Sequence, residues 1–194
     1  RCGLSKVKTS ARKCDIVQLS AQQRKEFFEA NHIDGDVRAS NAWGLYDISR
    51  EKVVAAISVR KPMHKKWKGA LEVARFATIT NESIPGAVGR LHKVVEQHAQ
   101  STGFGSVMTY VDSRFGSIFA AGYEKVGFTL ARQTPPRFWW TDGYNRIDRF
   151  KVRADKEQNL TEKQVADSLG VVKIWGCQNL LYTKQILTPL SPNI

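Results

Sequence analysis

The stretch Leu71–Asp112, LEVARFATITNESIPGAVGRLHKVVEQHAQSTGFGSVMTYVD, decides the fold. Its first nine residues include the β-branched Val73, Thr78 and Ile79, with Glu72 and Arg75 embedded, and read as a strand. A glycine-bearing turn, Asn81–Arg90, follows. From Gly86 onward Val88, Leu91, Val94, Val95 and Ala99 recur at helical spacing, while Arg90, Lys93 and Glu96 fall on the other face. Ser106–Val111 is again strand-like, and Asp112 closes it. The stretch is therefore a strand, a loop opening a helix, and a second strand.

Working outward, Asp15–Leu19 reads as a short strand, and Ser20 offers an N-cap with Gln23 at capping-box spacing. The helix AQQRKEFFEAN then carries Phe27 and Phe28 inward. Ala42–Ile48 and Val53–Val59 form a hairpin across a polar SREK. On the far side, Phe115–Lys125 reads as an amphipathic helix ended by Gly127-Phe128, and FTLAR as a strand. The aromatic stretch Arg137–Arg153 reads as strand, turn and strand around Asp142-Gly143. Thr161 caps a short helix to Leu169, and KIWGCQNLLY (Lys173–Tyr182) reads as one final strand. This order predicts an α/β domain of the α+β mixed-sheet kind, its central sheet flanked by helices. Residues 15–153 form that domain. Residues 1–14 read as a basic linker from a preceding segment, and 154–194 as a C-terminal extension packed on the domain.

The chain has 194 residues, 42% of them apolar and 25% charged, ordinary for a globular domain. No run approaches the roughly 18 apolar residues of a membrane-spanning helix. Three cysteines in no CxxC pair argue against a disulfide scaffold or zinc ribbon and fit a reducing, cytoplasmic setting. Thirty Lys and Arg against eighteen Asp and Glu leave a net charge of +12, a field that attracts polyanions. The charge is clustered: residues 1–14 and 60–68 carry five basic residues each and no acid, and 132–153 carry six against two acids.

Three groups of residues could carry chemistry. Ile84, Gly86, Ala87, Val88, Gly89 and Arg90 open a helix, where free N–H groups and the helix dipole favour a phosphate. Neither a Walker loop nor a GxGxxG fingerprint is present. The structural alternative is an ordinary glycine-rich helix start. His32, Arg75 and Asp112 form a second set, with Glu72 beside them. Arg75 and Glu72, three apart on a strand, point to opposite faces unless a bulge intervenes. The alternative is a partly buried Glu72–Arg75 ion pair. No metal-ligand pattern emerges from His64, His92 and His98, and neither a deaminase nor a nucleophile-elbow motif is present. The third set would contact nucleic acid: Arg60, Lys61, Lys65, Lys66, Lys68 and Arg114, then Arg137, Trp139, Tyr144, Arg146 and Arg149. Aromatic faces stack on bases and basic groups bind phosphate. Adjacent Trp139 and Trp140 face opposite ways on a strand, so at least one belongs to the core.

The strand, the PGAVGR loop opening a helix, the next strand and the string YEKVGF resemble the GNAT superfamily of acyl-CoA-dependent transferases. In that fold such a loop cradles the donor's pyrophosphate, though SIPGAVG lacks the leading Gln or Arg of the family's pattern. Across nearly the whole chain, ARKCDIVQLS, FFEANHIDGDVRASNAWGLYD, LEVARFAT, TYVDSRFG, YEKVGF, PPRFWW and IWGCQNLLY resemble the C-terminal domain of certain phage homing endonucleases. More distantly, NHI, LEVAR and YVD resemble Mom-type phage DNA-modification proteins, which have a GNAT-like fold. The resemblance implies a domain that binds DNA for a nuclease domain lying N-terminal to it, in a host cytoplasm. The alternative is a transferase, using acetyl-CoA or another acyl donor, that modifies a DNA base or acetylates an amine.

Overall fold

The computed structural model describes residues 5, 7–115, 122–154, 157 and 159–186. The strands are Val7–Lys8 (β1), Cys14–Gln18 (β2), Asn41–Asp47 (β3), Lys52–Arg60 (β4), Ala70–Thr78 (β5), Glu82–Ser83 (β6), Ser106–Asp112 (β7), Thr129–Gln133 (β8), Phe138–Thr141 (β9), Arg146–Ile147 (β10), Val172–Trp175 (β11) and Asn179–Gln185 (β12). The helices are Ala21–Asn31 (α1), Ala87–Ser101 (α2) and Glu162–Ser168 (α3). Seven strands make one mixed sheet in the order β2-β3-β4-β5-β7-β12-β8. Within it β5 and β7 run parallel, joined through α2, and the other neighbours are antiparallel. No helix among the described residues is long and apolar enough to cross a membrane.

Among the described residues, α2 packs on one face of the sheet and α1 on the other. Leu91, Val95 and Ala99 of α2 pack on Leu45, Ile57, Val59, Leu71, Val73 and Val107. On the opposite face Phe27 and Phe28 of α1 sit over Ala42, Ala56 and Ala77, small residues that let the helix approach. Helix α1 begins as the sequence predicts, with Ser20 and Gln23 capping each other reciprocally.

Two features of β5 shape the middle of the sheet. Its pairing with β7 covers only Ala70–Val73 against Ser106–Thr109, although the strands run on to Thr78 and Asp112. Beyond Val73 the two diverge. At the same place β5 carries a bulge: Ser58 opposes Arg75 and Val59 opposes Val73, so Ala74 is the extra residue. A bulge bends its strand and raises the local twist.

The predicted final strand is in fact two. Val172–Trp175 belongs to a small sheet, β10-β9-β11, and Asn179–Gln185 to the large one, the chain breaking at Gly176–Gln178. The described part of 154–194 thus does more than lie on the domain, since β12 is an interior strand between β7 and β8. Nor is the basic start merely a tether: Ala11 and Cys14 are buried in the main core, and β1 pairs with β6. Of the helix predicted over Phe115–Lys125, residues 122–125 are helical and 116–121 lie outside the described residues.

Phe128 is buried against His92 of α2 and Tyr123. Phe128→Ala is expected to lower the unfolding free energy by about 3–5 kcal/mol, from lost transfer energy and the cavity left behind. Urea denaturation measures it, and a loss under about 1 kcal/mol would mean the ring is not part of this core.

Candidate active site

The divergence of β5 and β7 opens a gap in the sheet, and α2 starts at one side of it. Gly86 is the N-cap of α2 at φ +85°, a left-handed conformation that costs glycine little. The turn is held by Ala87 N–H to Ile84 O and Arg90 N–H to Gly86 O. The Val88 and Gly89 N–H groups have no acceptor among the described residues. Free donors at a helix start attract anions. Of the six residues predicted for this loop, then, Val88 and Gly89 offer backbone donors, Gly86 shapes the turn, and Ile84 and Ala87 are buried as core anchors. The Arg90 guanidinium is turned away, donating to the carbonyl of Ala11. The N-terminal segment grips the same loop, with Thr9 N–H on Ser83 O and Ala11 N–H on Pro85 O, each at 3.0 Å.

Tyr123 stands at the apex of the gap. It is hydrogen-bonded to Thr109, the last β7 residue paired with β5, and the Thr109 hydroxyl donates to Val73 O. Its ring stacks on Tyr182, with centroids 6.1 Å apart. Burial pushes the phenol pKa up, the Thr109 hydrogen bond opposing it weakly, so the hydroxyl stays protonated at neutral pH. The residue sits in the string YEKVGF. That string carries a resemblance, and no spacing rule marks its tyrosine as functional.

The opposite face of β5 holds the second predicted set. Because Ala74 bulges, Glu72 and Arg75 share this face instead of taking opposite ones: Glu72 opposes Arg60 and Arg75 opposes Ser58, two apart on β4. Glu72 pairs with Arg60 at 2.7 Å and not with Arg75. That ion pair removes Arg60 from the phosphate-binding set. Arg75 donates to the carbonyls of Asp34, Gly35 and Ala74, fastening the loop after α1 to the bulge. Its guanidinium is occupied by protein and is no free cation for an oxyanion. His32 lies within electrostatic reach of Arg75, and its Nδ1 accepts the Asp34 N–H at 3.1 Å. Burial, then the charge of Arg75, lowers its pKa to about 4. With Nδ1 accepting, the neutral ring carries its proton on Nε2 and is a donor there, not a base. Asp112 is engaged by Arg114, which binds it through both Nε and Nη2, the latter at 2.6 Å. Hydrogen bonds from Arg114, with the charges of Arg114 and Arg146 added, hold its carboxyl below the usual range. Among the described residues this set is thus an ordered polar wall with no strong base.

Between β8 and β12 the chain makes an insertion, Thr134–Gln178, that contains the small sheet. Its own core is Trp140, Val152, Ala166 and Val171. Trp140 is 4% exposed, whereas Trp139 faces the other way and carries the Arg146 guanidinium 3.7 Å from its ring centroid. A side chain at Gly176 would collide with Trp139, a Cβ there falling 2.5 Å from the ring. Tyr144 is 97% exposed at the turn, and Arg137 and Arg149 are also exposed. The insertion joins the sheet beside Asp112, through Ser113 N–H to Gln178 O and Thr134 N–H to Asn179 O. Lys61, Lys65, Lys66 and Lys68 lie on the loop between β4 and β5, and all four are exposed.

No protein-family model matches the chain, and no curated protein matches it in sequence. Solved structures match it in three dimensions. The ribosomal-protein-S18-alanine N-acetyltransferase of Escherichia coli superposes with a TM-score of 0.57 at 10% identity, over 93% of this chain and 97% of its own. A Bacillus subtilis acetyltransferase in complex with CoA gives 0.56 at 12%, over 90% and 100%. A GNAT-family acetyltransferase of Streptococcus pneumoniae gives 0.53 at 12%, over 89% and 100%. The mixed sheet flanked by helices is therefore the GNAT acetyltransferase fold.

The buried histidines make stability depend on pH. His92, 1% exposed, is held by burial at a pKa of about 4, against an ordinary value of 6.5. Between those values the unfolded chain binds a proton that the folded one refuses, so stability falls as pH drops from 6.5 toward 4. The slope from His92 is at most about 1.4 kcal/mol per pH unit. His32, partly buried and also lowered to about 4, contributes with the same sign. Urea titrations across this range are expected to show His92→Leu losing much of the slope, and an unchanged slope would place the acid sensitivity elsewhere.

Proposed function

We propose that the chain is an acyl-CoA-dependent transferase whose acceptor nitrogen is carried on DNA. One observation carries the reading: the gap between β5 and β7 has unpaired helix N–H groups on one side and a protonated, partly buried tyrosine at its apex. When bound, an acyl-CoA supplies an activated thioester carbonyl and a thiolate leaving group. The residues of the chain account for the rest. The Val88 and Gly89 N–H groups and the α2 dipole receive a diphosphate. The diverging strands accept an extended arm between them. Tyr123 holds a proton on its Oη beside the gap, engaged by Thr109 at rest; this proton would pass to the departing sulfur, and the proton released by the acceptor nitrogen would restore it. His32, donating from Nε2, and the Arg114–Asp112 pair orient the acceptor. The lack of a strong base in this set, among the described residues, fits an acceptor that is already uncharged at neutral pH, as the exocyclic amino groups of nucleobases are. That reading agrees with the Mom-type resemblance.

DNA enters through the charge and the insertion. The insertion that joins the sheet beside Asp112 carries Trp139 with Arg146 stacked on it, and exposes Tyr144, Arg137 and Arg149. These residues also support a second reading, a DNA-recognition domain of the phage homing-endonuclease type serving a nuclease domain. The readings part at the donor: a transferase binds CoA and leaves an acylated nucleoside in DNA, and a recognition domain does neither.

Calorimetry with CoA and mass spectrometry of nucleosides from cells expressing the chain test this. A modified nucleoside is expected, and Tyr123→Phe is expected to lower its rate of formation by about 10²-fold while sparing CoA affinity. No CoA binding and no modified nucleoside, with DNA binding retained, would leave the recognition reading. Salt titration on duplex DNA tests the lysine loop. Lys65→Ala with Lys66→Ala should weaken binding to all sequences alike and make the slope of log K against log salt shallower by about 1 to 2. An unchanged slope would remove this loop from the interface.

A further inference from the structure

The turn between β9 and β10 carries an aromatic ring out into solvent. Tyr144 is 97% exposed there, more than any other large hydrophobic side chain among the described residues. The backbone beneath it is tightly held. The Asp142 carboxylate accepts the Tyr144 N–H at 2.9 Å, the Asn145 N–H at 2.7 Å and the Asn145 side-chain amide at 2.9 Å. The Thr141 hydroxyl accepts the Gly143 N–H at 3.0 Å, and Gly143 takes φ +98°, a conformation that favours glycine. The fold gains no burial from the ring, yet four hydrogen bonds fix the turn that presents it. The surrounding chain is cationic. Arg137, Arg146, Arg149, Lys151 and Arg153 are all exposed, and the two acids of the stretch, Asp142 and Asp148, both cap turns. Arg146 is close enough to Asp112 for its charge to act on that carboxyl. Tyr144 precedes Arg146 by two residues, at most about 7 Å of chain. The turn and the proposed acceptor set therefore belong to one neighbourhood.

We propose that Tyr144 is a wedge: it enters a DNA duplex and fills the space of the base drawn out for reaction. This deepens the DNA acceptor proposed above and rests on it. In a duplex the exocyclic amino groups of the bases lie within the stacked pairs, so transfer to one requires its base to leave the stack. Extrusion leaves a slot walled by base faces, and an inserted side chain props it open. An aromatic ring suits the slot because it stacks on either wall whatever the sequence. The stiffness of the turn matters here, since a ring free to fold back onto its own sheet would not be driven between bases. The arginines around it supply phosphate contacts that hold the duplex while it opens. A protein partner fits less well. The centre of a protein interface is depleted of charge, whereas the chain neighbours of Tyr144 are Asp142, Gly143, Asn145 and Arg146.

Fluorescence anisotropy compares wild type, Tyr144→Ala and Tyr144→Phe on two duplexes of one sequence, one fully paired and one with 2-aminopurine opposite cytosine in place of a single pair. A mispaired base is easier to draw out. Wild type is expected to bind the mispaired duplex about 10-fold more tightly than the paired one, with a rise in 2-aminopurine fluorescence as that base unstacks. Tyr144→Ala should bring the affinity ratio to about 1 and abolish the rise. Tyr144→Phe, keeping the ring, should retain both. Equal melting temperatures for the three proteins are expected, since the ring is exposed. An affinity ratio and a fluorescence rise that survive in Tyr144→Ala would overturn the wedge. Equal binding of the two duplexes by wild type would overturn it as well, while leaving the DNA acceptor intact. Failure of wild type to bind either duplex would overturn the DNA acceptor itself and the wedge with it.

Discussion

The parallel contact between β5 and β7 lasts for four residue pairs, and the rest of the arrangement depends on its ending there. Had the strands stayed paired to their ends, Thr109 would sit inside an ordinary ladder, and Tyr123 would have no edge to stand on. The bulge at Ala74 coincides with the parting. It bends β5 and brings Glu72 and Arg75 to one face, and the Arg75 guanidinium then fastens the loop after α1 across the bulge. Helix α2 spans the same place because a parallel pair requires a crossover, which delivers its N-terminus near the open end of the gap.

The polar side chains divide into those that the protein has used and those that it has not. Arg60, Arg75, Asp112 and Arg114 are committed to partners within the chain, and their geometry is fixed by those bonds. His92 is uncommitted at a cost of about 1–3 kcal/mol for each buried group left without a partner. Ionisable residues on an exposed face are the ones that sequence reading notices first. In this molecule the uncommitted His92 sits instead under a helix.

Local chemistry was legible in the sequence to within a residue or two. Ser20 with Gln23, Thr161 as a helix cap, and the apolar run Val53–Val59 each act over a few positions, and the structure realises each of them. What periodicity could not supply was adjacency. Nothing in KIWGCQNLLY says that its two halves enter different sheets, although Gly176, fitted beneath Trp139, marks the break. The faces of Glu72 and Arg75 turned on one inserted residue that alternation does not reveal. His92 is legible in principle as a polar gap in an apolar stripe, but a histidine read by spacing alone invites only the question of metal binding. Tyr123 lies in a string that carries a resemblance and no physical reason for its tyrosine. The electrostatic set was the least legible, because Arg60 and Arg114 look like free cations until their partners are placed.

The insertion between β8 and β12 has a core that shares no residue with that of the main sheet. A domain built this way has two separable reserves of stability. Substitutions at Trp139, Tyr144 or Arg146 load the small reserve and leave the large one untouched, so the surface beside Asp112 is free to drift, or to be exchanged whole, while the sheet and its gap persist. Descendants of such a chain would diverge fastest on the insertion and slowest where the two strands part.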